Sequence, residues 1–149
     1  MTYGRLKSLV SALLISDNNL TKLNNEVLAL LEYAYTRIAM EADALKLLTA
    51  NSSEDIIIRN GPGNLFVRMP KLPESDDEEL DIDEELCFAA ARFIASFVSK
   101  LRPDLHEREA RKIINAYNQK VSQFLEKLDQ EGVLDIYEND DMYGKRTYP

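Results

Sequence analysis

The chain has 149 residues, enough for one domain and short for two, and its 45% apolar and 30% charged content is that of a folded globular protein. No run approaches ~20 uninterrupted apolar residues, which excludes a membrane-spanning helix, and no small-residue cleavage site follows Leu13, so no signal peptide is expected. A net charge of −8 opposes bulk binding to phosphate, while one cysteine (Cys87) and one histidine (His106) exclude an internal disulfide and His-rich metal or triad chemistry.

A single thiol fits a reducing compartment and a cytosolic origin. The charge is unevenly placed. Residues 1–73 carry eight Lys/Arg against seven Asp/Glu, and residues 74–149 carry ten against nineteen; nine of those acids lie between Glu74 and Glu85.

In chain order, residues 2–15 place Leu6, Leu9, Val10, Leu13 and Leu14 at helical spacing, with Thr2 as the N-cap. Ser16-Asp17-Asn18-Asn19 breaks that pattern. A longer helix is expected from about Leu20 to Ala44, with Leu20, Leu23, Val27, Leu28, Leu30, Leu31, Ala34, Tyr35 and Ile38 in its stripe and Glu32, Thr36, Arg37 and Glu41 on its wetter side. Periodicity leaves residues 45–49 open between a helix end and a short strand. Residues 55–59 and 64–69 are two β-rich runs joined by Asn60-Gly61-Pro62-Gly63, which predicts a β-hairpin. A lone hairpin is marginal in water, so it must pack on the helices or pair with another chain.

Pro70 and Pro73 stop the second strand, and residues 74–79 read as a solvated acidic loop. Asp81 or Asp83 caps a third helix whose apolar positions are Leu86, Ala90, Phe93, Ile94, Phe97, Val98 and Leu101, with Ala89, Ala91 and Ala95 allowing close approach. Pro103 ends it. A fourth helix opens at Asp104, with Glu107 in capping-box position, and runs through Ala110, Ile113, Ile114, Tyr117, Val121, Phe124, Leu125 and Leu128 toward Gly132. Residues 133–149 have no helical period but hold three tyrosines, which suits an arm that orders on a neighbour. The expected fold is mainly α: a four-helix bundle-like domain over residues 1–132, with an inserted β-hairpin at 55–69, an acidic loop at 74–81 and an extended C-terminal arm at 133–149.

No set of residues forms a catalytic pattern. Asp76-Asp77-Glu78-Glu79 lacks the glycine that a calcium loop needs. The Asn60–Gly63 turn leads into a β run instead of a helix, unlike a phosphate loop. His106, set among Glu107, Arg108 and Glu109, is expected to be exposed, and Cys87 to be an inert apolar filler. Arg108, Arg111, Lys112 and Lys120 on the fourth helix read as a solvated or protein-contacting face, not a DNA-reading one. The expectation is no enzyme, no cofactor and no metal.

The order of two helices, hairpin, acidic Pro-bounded loop, two further helices and aromatic arm carries a resemblance. Leu72-Pro73-Glu74, then Leu80-Asp81-Ile82-Asp83-Glu84-Glu85-Leu86, then Ala89-Ala90-Ala91-Arg92-Phe93-Ile94-Ala95, resembles the head-to-tail adaptor (connector) proteins of tailed bacteriophages. The resemblance spans most of residues 20–130. It implies a virion protein of the neck, made in the host cytoplasm, that forms a ring of about twelve copies beneath the portal protein. It implies further contact with a tail or stopper protein, DNA only as passing cargo, and no membrane. The interaction elements expected are the hairpin, with Ile57, Asn60, Gly61, Phe66 and Arg68, and the arm, with Ile136, Tyr137, Met142, Tyr143 and Tyr148. The alternative reading is a small cytosolic acidic helical module, an inhibitor or regulator whose acidic loop imitates DNA.

Overall fold

Thr2 opens the first helix as expected: its hydroxyl accepts the Arg5 N–H at 3.2 Å. The computed structural model describes residues 1–15, 20–50 and 54–130. Within them lie four helices, α1 (Tyr3–Leu13), α2 (Leu20–Glu41), α3 (Glu84–Val98) and α4 (Pro103–Gln130). Three short strands, β1 (Leu48–Thr49), β2 (Ile57–Asn60) and β3 (Phe66–Arg68), form an antiparallel sheet in the order β1-β3-β2. The fold is the helical domain with an inserted hairpin that the sequence pattern predicts.

α3 is the central element. Leu86, Cys87, Ala89, Ala90, Ala91, Phe93, Ile94 and Ala95 are all fully buried, so this helix has almost no wet side. Its alanines leave room for α1, α2 and α4 to pack around it. Burying Leu86, Phe93 and Ile94 contributes about 1.5–3 kcal/mol each. α4 supplies Ala110, Ile114, Tyr117 and Val121, and α2 supplies Leu31, Tyr35 and Ile38.

Several boundaries differ from the sequence reading. α2 stops at Glu41, not Ala44, because side chains take over the carbonyls at its end. Arg59 donates to Ala39 O (2.9 Å) and Ala42 O (2.7 Å), and Asn118 donates to Glu41 O (2.9 Å). Residues 45–49 are neither one helix end nor one strand: a 3₁₀ turn at Leu45–Leu47 leads directly into β1. α3 ends at Val98, leaving Leu101 63% exposed. α4 begins at Pro103, whose fixed φ and missing N–H suit a first helical position. Glu107 therefore lies inside the helix and binds Arg37 at 3.1 Å instead of closing a capping box. Phe124 and Leu28, read as stripe residues, are each more than 40% exposed.

The side chains of the acidic segment are exposed from Glu74 to Glu79, as expected, but its backbone is built into the fold. Tyr3 N–H donates to Glu78 O (3.0 Å), Gly4 N–H to Asp76 O (2.9 Å) and Leu80 N–H to Met1 O (2.9 Å). The first two bonds satisfy the first N–H groups of α1, which have no partner inside their own helix, and the third ties Met1 to the end of the acidic segment. Lys7 pairs with Asp76 at 2.8 Å, and the α-ammonium of Met1 binds Glu79 (2.8 Å) and Glu84.

Asp83 holds the N-cap position of α3 without a side-chain cap bond. Its carboxylate instead accepts the Tyr117 hydroxyl and, at 3.3 Å, the Lys46 N–H. Tyr117 also accepts Leu45 N–H at 3.1 Å, and the Asn118 side-chain oxygen accepts Asp43 N–H at 3.0 Å. The link between α2 and the sheet is thus fastened to α4.

Candidate interaction surface

The hairpin turn forms where Asn60-Gly61-Pro62-Gly63 places it. Gly61 N–H donates to Leu65 O (2.8 Å), Leu65 N–H donates to Pro62 O (3.1 Å), and Gly63 takes a φ of 62° that suits glycine. β3 is the middle strand. Ile57 faces Arg68, Arg59 faces Val67 and Asn60 faces Phe66, with a bulge at Ile58. On the other side of β3, Leu48 faces Val67 and Thr49 faces Phe66. The hairpin is therefore supported within the chain, by a third strand and by fully buried Val67.

The five hairpin residues expected to meet partners divide by environment. Ile57 is 38% exposed and Asn60 is exposed, so both present surface. Gly61 serves packing: a Cβ there would lie 2.9 Å from Leu48 Cδ2 and 3.3 Å from Leu65 O. Phe66 is half-buried. Arg68 is not available to a partner, because its guanidinium grips both oxygens of Asp81 at 2.6 and 3.0 Å. Burial raises the Asp81 carboxyl pKa, but hydrogen bonds from Arg68 and from Lys71 N–H outweigh that and hold it below its ordinary value. Ile136, Tyr137, Met142, Tyr143 and Tyr148 lie outside the described residues.

Beside β2 runs an apolar groove that sequence reasoning missed. Ile56, 69% exposed, and Ile58, Met69 and Leu72 line an open concavity of about 580 Å³. Glu32, Glu54 and Asp55 border it, against the single base Lys71. A signal for it existed in Ile56-Ile57-Ile58: successive strand residues point to opposite faces, so three isoleucines in a row cannot all enter one core. A second groove of about 450 Å³ lies among α1, α3 and α4, lined by Leu9, Leu13, Phe88 and Ile113 with Glu85 and Arg92 at its rim.

The basic side of α4 is largely neutralised within the domain. Arg111 reaches Glu41 (3.2 Å), Lys112 reaches Glu109 (3.4 Å) and Lys120 reaches Glu85 (3.1 Å). His106, expected to be exposed, is buried at 5% exposure, with Arg92 donating to its Nδ1 at 3.0 Å. Cys87 is buried, and burial pushes its thiol up to about 11, which keeps it protonated at neutral pH.

Among the described residues no group of three His, Cys, Asp or Glu side chains could hold a metal ion, and no helix is long and apolar enough to cross a membrane. What this surface offers is apolar contact framed by carboxylates. No model of a known protein family, no curated protein and no solved structure matches the chain.

Proposed function

We propose that the protein is a structural adaptor of the head-to-tail type, a ring-forming virion component that docks on a portal and extends the DNA channel toward the tail. One observation carries the reading: the hairpin edge, held rigidly by its own domain, still leaves Ile56 and Ile57 exposed beside an apolar groove. Exposed apolar surface of this kind marks contact with another macromolecule. Head-to-tail contacts that close on themselves give rings, and a stable neighbour contact buries about 1,000 Å² or more. The net charge of −8 suits a channel through which DNA passes without sticking.

The acidic-decoy reading has weaker support, because Asp76, Glu79 and Glu84, although exposed, have part of their charge offset by Lys7 and the Met1 ammonium.

Electron microscopy and native mass measurement of the full chain, alone and with the portal of the same virus, test the adaptor proposal. Rings of about twelve copies seated on the portal are expected. A chain that stays monomeric at every concentration and binds no portal overturns the proposal.

A further inference from the structure

We propose that the groove beside β2 receives residues 143–148 of a second copy of this chain, added as an extended segment along the β2 edge. The inference rests on the self-association in the adaptor reading and is independent of the portal.

Charge and shape select this occupant. The groove has an apolar floor of Ile56, Ile58, Met69 and Leu72 and an acidic border that includes Glu32 and Asp55. A fitting ligand is extended, aromatic and basic. Beyond Gln130 the chain is otherwise acidic, and its only two bases, Lys145 and Arg146, stand together between Tyr143 and Tyr148. In an extended segment Tyr143 and Lys145 share one face, so a ring on the isoleucine floor sets an ammonium toward the carboxylates. β2 is an edge strand, with β3 as its partner in the sheet, and such an edge can accept a further strand.

Helix register points to a second copy as the source. Arg37 pairs with Glu107 and Glu41 with Arg111, while Asn118 binds Glu41 O and Asp43 N–H, so α2 and α4 run in the same direction with an offset of seventy to seventy-seven positions. Thr36, which touches Met69 of the groove, therefore lies beside the first half of α4, near residues 106–113. Gln130 is seventeen to twenty-four residues farther along that helix, ~26–36 Å away at 1.5 Å per residue. The thirteen steps from Gln130 to Tyr143 span at most ~43–47 Å. A chain reaching its own groove would have to double back along the second half of α4, whereas a neighbour set head-to-tail meets no such demand. Each copy then gives one segment and accepts one, the arrangement that closes into a ring.

The test uses full-length chains. One preparation carries Ile56→Cys and the other Tyr143→Cys, with buried Cys87 left in place, and the two are mixed under mild oxidation. Disulfide-linked pairs between the two preparations are expected. Lys145→Glu with Arg146→Glu should weaken self-association in sedimentation at least tenfold, and combining it with Glu32→Lys and Asp55→Lys should restore it. Circular dichroism of the tail variant checks that the fold is intact.

The inference is overturned if no mixed pairs form, if the linkage forms only within a chain carrying both cysteines, or if reversing the tail charges leaves self-association unchanged. Rings that seat on a portal without the linkage sink this inference and spare the adaptor reading. Linked pairs in a protein that binds no portal do the reverse.

Discussion

Arg68 and Asp81 meet in a two-point ion pair, at 2.6 and 3.0 Å, with side chains only 14% and 20% exposed. The pair ties the middle strand of the sheet to the segment that leads into α3. Removing one partner strands the other in a mostly dry site, which costs more than the pair itself contributes. Arg68→Ala is expected to destabilise the protein by ~2–3 kcal/mol, lowering the melting temperature by ~6–10 °C. The double variant with Asp81→Ala should cost less than the two single changes together. Thermal denaturation of all three variants checks this.

The Met1 ammonium gives the fold an alkaline limit. Hydrogen bonds to Glu79 first, and to Glu84 second, raise its pKa above the ordinary value near 8. A raised pKa means that its stabilisation is complete below about pH 8 and is lost as pH climbs through the folded value. The Glu79 pKa is lowered by the same pair, so its share is present above about pH 4.5 and is lost on further acidification. The melting temperature should fall above pH 8. In the chain acetylated at Met1 that slope should be reduced and stability at pH 7 lower, measured as melting temperature across pH 3–10.

Two buried tyrosines should respond oppositely to loss of their hydroxyls. Tyr117 donates to Asp83 and accepts from Leu45, so Tyr117→Phe leaves both without this partner and is expected to cost about 1–3 kcal/mol. The Tyr35 hydroxyl lies beside the Asp81 backbone without a hydrogen bond of normal geometry. Tyr35→Phe should therefore be neutral or slightly stabilising. Urea unfolding of both variants distinguishes them.

Ile56 is 69% exposed, so a polar residue there should change monomer stability by no more than about 0.5 kcal/mol. Ile56→Lys should nonetheless abolish ring formation if this edge is the contact. Melting temperature and native mass, read on the same sample, separate the two effects.

Cys87 should resist alkylation at pH 7 in the native protein and react freely once unfolded. Its buried thiol, pushed up to about 11, offers neither access nor thiolate. Mass spectrometry of iodoacetamide-treated protein with and without denaturant reports the contrast.

The helices and the hairpin were legible because their signals are local. Thr2 caps α1 as its sequence context predicts, and the stripe Ala110, Ile114, Tyr117 and Val121 is buried as spaced. Extending that stripe one turn back reaches His106, so its burial was available to the pattern, and the charged neighbours obscured it. β1 was half legible: residues 45–49 stand open between a helix end and a short strand, and the pairing of Leu48–Thr49 with β3 decides for a strand at that end. The Pro103 start of α4 was misread because one proline both ends a helix and suits the first position of the next. The acidic segment revealed its exposure through its charges, while its backbone bonds to Tyr3 and Gly4 depend on partners more than seventy residues away. The groove at β2 combines α2, a strand and a post-strand loop, and only the three isoleucines hinted at it.

Arg59 has a mechanical consequence. Its guanidinium joins β2 to the last carbonyls of α2 and to Asp43, and Asn118 fastens the same corner to α4. Tension on the strand edge is shared by several bonds in parallel before any one of them can open. A pull at the hairpin therefore shifts the bundle as a unit instead of peeling the strand away.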